Sequence, residues 1–300
     1  MADVQHDTGT TLDRMFRFRR EFLIRAMGLT AGSVGLAILD GDAAEAQAPA
    51  INDAAILNFA LNLEYLEAEF YTLGVSGTSI TAMGVGINGS GTQGGLIVKN
   101  NPTVPFATAA LKSYAAEIAS DERNHVVFLR AALAGAGVQP AARPTIDLLN
   151  SFNSAAQAAG IGASFDPFAD EKSFLLGSFV FEDVGVTAYH GAARLIKNKD
   201  YLDAAAGILA VEAYHAGEVR TLLYLNGLSG PAGQIAALRA SASGANDDQG
   251  IVMGGEANIV PTDGNSIAFG RSAAQVLRIV YLGGNGGGGF FPNGLNGPIR

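Results

Sequence analysis

Two Glu-x-x-His motifs, Glu122 to His125 and Glu212 to His215, stand 90 residues apart, each in a stretch of helical apolar spacing. Residues three apart on an α-helix project from nearly the same face, so each motif aims a carboxylate and an imidazole at one point. Both groups are metal donors, and each motif reads as half of a metal site. Two further glutamates extend the pattern. Glu64 lies in NFALNLEYLEAEFY with Leu57, Ala60, Leu61, Ala68 and Tyr71 on its side. Glu182 lies in SFLLGSFVFEDVGVTAYH with Leu175, Ser178, Phe179, Val186 and Tyr189 around it in the same way. These faces point both carboxylates into a core, where a carboxylate must protonate, pair or bind a metal. Four Glu and two His converging from four helices fit a pair of metal ions.

Other residues compete for these roles. Glu67 and Glu69 share a helix with Glu64, and a helix with three acids also reads as solvated on one side. Only Glu64 has a tyrosine seven later and apolar neighbours on both turns. His190 lies two turns from Glu182, too far along the axis to share its metal, and reads as a surface or supporting residue. Asp183 and Glu218 read as ordinary helix-surface or supporting acids. Tyr71 and Tyr189 fit either core packing or hydrogen bonds to the ligands.

The elements that must position these groups follow from periodicity and caps. Helices are predicted from about 52 to 73, 105 to 135, 170 to 198 and 200 to 226, with Asn52 or Asp53 capping the first and Asp200 the last. Between the first two lies GVSGTSITAMGVGINGSGTQGG, whose composition favours a loop or loose hairpin. Its GINGSGTQGG is not a phosphate loop, because no strand feeds it and no Lys-Ser/Thr follows. The connection from 136 to about 169 contains Pro140, Pro144 and Pro167 and one short helix near Ile146 to Ala159. Beyond the fourth helix, Gly230 to Ala240 and Ser272 to Leu282 read as helical, with 244 to 268 extended or irregular. The terminal GGNGGGGFFPNGLNGPIR cannot form a core alone, so Phe290 and Phe291 should dock on the bundle or on another subunit.

The order Glu, Glu-x-x-His, Glu, Glu-x-x-His on four successive helices resembles the ferritin-like di-metal carboxylate superfamily, over about residues 52 to 226. The N-terminal leader, the alanine-rich helices and the tail GGFFPNGLNG are similar to exported bacterial ferritin-like, desiccation-related proteins. The resemblance implies an all-α fold, a ferritin-like four-helix bundle with a long crossover between its second and third helices, a Gly-rich insertion between its first two and a C-terminal extension. It implies two Fe or two Mn ions, with Glu64 and Glu182 as terminal ligands, Glu122 and Glu212 as bridges, and His125 and His215 each on one metal. Asp121, directly before Glu122, would orient His215 through its free ring N–H, whereas Val211 fills the matching place before Glu212. Tyr71 and Tyr189 each stand seven after a terminal ligand, which suggests an internal duplication.

The first 48 residues read as a leader. Arg19 and Arg20 precede Phe22 and Leu23, then a mildly apolar run, then Ala46-Gln47-Ala48 as a cleavage site, which is the pattern of a twin-arginine export signal. The run from Ala26 to Leu39 is too short and too rich in Gly, Ser and Thr to span a bilayer. The expected organisation is a signal peptide at 1–48, the bundle at 49–228 and an extension packed on it at 229–300. Delivery would be to the periplasm or beyond. The chain has no cysteine, so it has neither disulfides nor a lipidated cysteine. Of its formal charge of −9, the leader's five Arg and seven acids leave 14 basic and 21 acidic residues, which argues against nucleic acid or anionic lipid as partner.

Three functions fit. They are a redox enzyme acting on peroxide or dioxygen in stress protection, an iron-binding ferroxidase or storage protein using Fe(II), and a desiccation-stress protein whose metals are mainly structural. A small-molecule substrate and a homo-oligomer accompany these readings. The leader yields its own test. Changing Arg19 and Arg20 together to Lys should hold uncleaved precursor in the cytoplasm, and normal export of that variant, followed by immunoblot of cell fractions, would refute the assignment.

Overall fold

The computed structural model describes residues 51–245 and 247–300, so the expected leader lies outside the described residues. Four long helices carry the motifs: α1 (Asp53–Ser76), α2 (Ala109–Gly135), α4 (Glu171–Ala193) and α5 (Lys199–Leu225). The short α3 (Asn150–Ala159) lies in the crossover, and α6 (Ser229–Ser243) and α7 (Ala273–Val280) follow the bundle. The chain is all-α in character, with two small two-stranded ladders attached. Among the described residues no helix is long and apolar enough to cross a membrane.

Pairing within the bundle is set by side chains at matched heights. Arg123 donates to Thr72 Oγ1 (3.0 Å), and two turns further along α2 Arg130 donates to the Tyr65 hydroxyl two turns back on α1, so α1 and α2 run antiparallel. On α2 the buried positions Leu111, Ala115, Ile118, Glu122, His125, Leu129 and Leu133 form one stripe at spacings of three and four. On α5 the stripe is Ala205, Ile208, Glu212, His215, Val219 and Leu223. Helices α1 and α4 are buried almost all round, because other elements cover their second faces.

An aromatic cluster joins the layers. Phe70 of α1 stacks on Phe174 of α4 with centroids 4.9 Å apart and meets Phe152 of α3 and Phe181. Phe181 in turn meets Phe290 from the glycine-rich tail. Phe290 and Phe291 are fully buried, so this tail docks on its own bundle. Main-chain bonds fix it there, from Phe290 N to Val280 O (2.9 Å) and from Asp147 N to Phe290 O (3.0 Å).

Local details differ from the expectations. Residues 74–95 do not fold back as a hairpin. Beyond the end of α1 at Ser76 they take the loop alternative, with a 3₁₀ turn at Ile80–Met83, and the chain beyond pairs β1 (Leu96–Ile97) in parallel with β2 (Ile146–Asp147) of the crossover. A parallel pair needs a long connection, and α2 supplies it. Because 146–147 is strand, the short helix starts only at Asn150, where Asp147 Oδ1 accepts from Leu149 N (2.9 Å) and Asn150 N (2.7 Å). Asn198, not Asp200, caps α5, accepting from Asp200 N (2.8 Å). Residues 252–257 form the hairpin β3 (Val252–Met253) and β4 (Glu256–Ala257). Since Phe290 completes the aromatic cluster, Phe290→Ala should cost about 3–5 kcal/mol of stability. A thermal melt within a degree or so of wild type would show that the tail is dispensable to the core.

Candidate metal centre

The four bundle helices bring Glu64, Glu122, Glu182, Glu212, His125 and His215 to one buried place, the carboxylates fully buried and the imidazoles nearly so. Their atoms fall into two groups that can hold a cation. Glu64, Glu122, His125 and Glu212 form one and Glu122, Glu182 and His215 the other, with ligand atoms in each group within 4.8 Å of one another. Glu122 belongs to both. His125 Nδ1 lies 3.2 Å from Glu64 Oε2, 3.5 Å from Glu122 Oε2 and 3.7 Å from Glu212 Oε1. His215 Nδ1 lies 3.1 Å from Glu122 Oε1 and 3.5 Å from Glu182 Oε2. Glu122 therefore turns one oxygen toward each imidazole, while Glu212 faces the His125 side.

Supporting contacts are reciprocal in one respect and unequal in another. The Tyr71 hydroxyl of α1 donates to Glu182 of α4, and the Tyr189 hydroxyl of α4 donates to Glu64 of α1. Each tyrosine, seven residues after one of these two carboxylates, thus holds the other. Burial, then the adjacent Glu182 or Glu64, pushes both phenols well above their usual range, so they stay protonated donors. Behind His215, Nε2 lies 3.2 Å from Asp121 Oδ2, which turns Nδ1 inward. Val211, at the matching position of the other motif, offers no side-chain acceptor.

The donor set fits cations. Both oxygens of Glu122 and of Glu212, Glu182 Oε2 and His215 Nδ1 are buried without a hydrogen-bond partner, although they face one another. Buried polar atoms are normally satisfied, and a bound ion would satisfy all of these together. Electrostatics agrees. Burial raises Glu64 to about 7 against the pull of His125. Glu212 is raised well above its usual range by burial and then by Glu122 and Glu67. Burial opposes charge on the histidines, but Glu64 and Glu122 draw His125 up to about 11 and Glu182 and Glu122 draw His215 up to about 12. Glu122, despite burial, is held down to about 2 by the two imidazoles that face it.

Of the residues whose place the sequence left open between solvent and a supporting role, several are buried. Glu67 and Glu69 are buried, not solvated, because α1 is covered on every side. Glu69 is paired with Arg143 and accepts from Ser79 Oγ (2.9 Å) and Ile80 N (3.1 Å), well apart from the ligands' contacts. Asp183 is buried between Arg220 (2.8 Å) and Arg239 (2.7 Å). That ion pair escaped sequence reading, although Arg220 falls on the α5 apolar stripe beside Ala216, Val219 and Leu223. His190 and Glu218 are half-buried and join neither ligand group.

The ferritin-like domain family matches residues 52–225, which span all four helices that carry the candidate ligands. The chain belongs to that family. It is 28% identical over 274 residues to the ferritin-like catalase Nec2 of Nesocodon mauritianus, covering 82% of this chain and 84% of that protein. It is 30% identical over 177 residues to the desiccation-related protein PCC13-62 of Craterostigma plantagineum, covering 58% of this chain and 53% of that protein. The ferritin-like match ends at the last residue of α5, and the longer similarity to Nec2 takes in more of the chain.

The raised groups give this ferritin-like centre a definite pH dependence. In the metal-free protein Glu64, His125 and His215 keep protons that the unfolded chain releases around 4.5 and 6.5. Their stabilisation is complete below those values and is lost as pH rises through the folded values; that of Glu122 is complete above 4.5. Metal competes with the same protons, so its binding strengthens as pH rises. The melting temperature of metal-free protein should therefore fall from about pH 5 to about pH 8, while the increase on adding a divalent metal grows. A metal-induced increase that shrinks across that range would contradict this protonation scheme.

Proposed function

We propose that the protein holds two iron or two manganese ions between its four helices and uses them to consume hydrogen peroxide, as an exported protein of stress protection. The observation that carries this reading is Glu122, whose two otherwise unpartnered oxygens face His125 and His215 separately. One carboxylate is thereby set to serve two cations. On this reading Glu64 and Glu182 are terminal ligands, each fixed by the tyrosine of the opposite helix. Glu212 adds a carboxylate on the His125 side. Bound there, a redox-active pair of ions would supply two-electron chemistry without an organic cofactor.

The name of Nec2, a ferritin-like catalase, supports peroxide as substrate. The lack of cysteine removes thiol-based peroxide reduction, so turnover would be metal-borne. Two balanced reactions fit. Two hydrogen peroxide molecules give two waters and dioxygen, or one peroxide with two Fe(II) and two protons gives two Fe(III) and two waters. The name of the desiccation-related PCC13-62 supports a second reading, in which the metals chiefly brace the bundle under stress. Delivery to the periplasm or beyond by the twin-arginine route is part of the proposal.

Manganese- or iron-loaded protein should consume peroxide, and Glu122→Ala or His215→Ala should abolish this along with the wild-type metal content. Oxygen evolution from peroxide alone selects dismutation, and consumption only with added Fe(II) selects the ferroxidase branch. Absence of turnover in both assays with two metals bound would eliminate the redox reading in favour of the structural one.

A further inference from the structure

Glu67 stands one turn after Glu64 on α1 and is only 5% exposed. Neither a hydrogen bond nor an ion pair is formed by its side chain among the described residues, and a buried acid without a partner calls for a ligand. Its surroundings show where that ligand would sit. A side chain at Gly185 of α4 would put its Cβ 2.0 Å from Glu212 Oε2 and 3.5 Å from Glu67 Oε1. The bare glycine thus lets one carboxylate of the metal centre and Glu67 approach the same spot on α4. Glu67 and Gly185 also line a cavity of about 20 Å³, walled by Leu66, Val184, Ile279 and Phe290.

This space suits one small molecule, since a water needs about 10–15 Å³ by the same measure. Glu67 supplies the polar side chain of walls that are otherwise apolar, so a small molecule entering there must bond to it. A charged ligand would lose its hydration to an apolar chamber. A small uncharged molecule with a hydrogen-bonding end meets both conditions. We propose that this cavity is a holding site for a small uncharged substrate beside the metal centre, with the Glu67 carboxyl as the group that hydrogen-bonds to it. Naming hydrogen peroxide as that substrate rests on the function proposed above. Ile279, Val280 and Phe290 of its lining come from the C-terminal extension, so the extension helps to wall this cavity.

Zinc-loaded protein tests this without turnover, because zinc does not cycle redox states. Crystals soaked in hydrogen peroxide should show two-atom density in the cavity about 2.6–3.0 Å from a Glu67 oxygen. Glu67→Leu should lose that density while keeping the wild-type metal content by elemental analysis. In manganese- or iron-loaded protein the same variant should raise KM for peroxide about tenfold with kcat within about twofold, and Glu67→Gln, which keeps a hydrogen-bonding group, should restore KM. An empty cavity, or the same single-atom density in soaked and unsoaked crystals, overturns the holding site. Loss of metal in both Glu67 variants overturns it too, making Glu67 a ligand. The crystal result stands whether or not the redox-metal protein turns peroxide over, so failure of the holding site and failure of the proposed reaction are separable.

Discussion

Four carboxylates and two imidazoles are buried at one point between four helices, and the rest of the molecule is arranged around the cost of that burial. Like charges in a low-dielectric interior repel strongly, and each also loses its hydration. Imidazole faces carboxylate on both sides of Glu122, the tyrosines cover the outer oxygens of Glu64 and Glu182, and the remaining orphaned atoms are aimed where cations would satisfy them. Ligand atoms so placed need rigid supports, because a turn of any helix by a fraction of its pitch would separate them.

Rigidity on the α1 and α4 side comes from the aromatic cluster, and behind α4 and α5 from buried ion pairs. Arg220, Arg239 and Arg271 are almost completely buried among Asp183, Asp247 and Asp248. Asp183 directly follows the candidate ligand Glu182, so the arginines that grip it also fix the rotation of α4. Such pairs contribute little net stability, since desolvation offsets attraction, but they admit few alternative arrangements. Here they tie α5, α6 and the chain near 247 and 271 to α4.

The two halves of the centre are related but not equivalent. Tyr71 and Tyr189 make matching contacts, as an internal duplication would leave them. Asp121 supports His215, while its counterpart Val211 cannot do the same for His125. Glu212 adds a carboxyl group on the His125 side, and Gly185 leaves room for it. An acid behind an imidazole raises its basicity as a ligand, so unequal support is a physical basis for unequal metal affinity.

Spacing placed the candidate donors on helices, and the order of the motifs carried the resemblance to the family, because a Glu-x-x-His motif on a helix fixes the relative direction of its two donors before any tertiary contact forms. The same reasoning picked out Glu64 and Glu182 from their apolar neighbours. It left open a solvated place for Glu67, Glu69 and Asp183, which are buried, since helical periodicity shows which residues share a face but not how many faces become buried. The second coverings of α1 and α4 come from segments far away in sequence, the crossover and the C-terminal extension. Only tertiary packing decided that Arg143 and Arg239 would meet Glu69 and Asp183, that Asn198 would cap α5, and that Phe290 would close a cavity beside Glu67. Those outcomes depend on long-range contacts whose partners carry no local periodic signature.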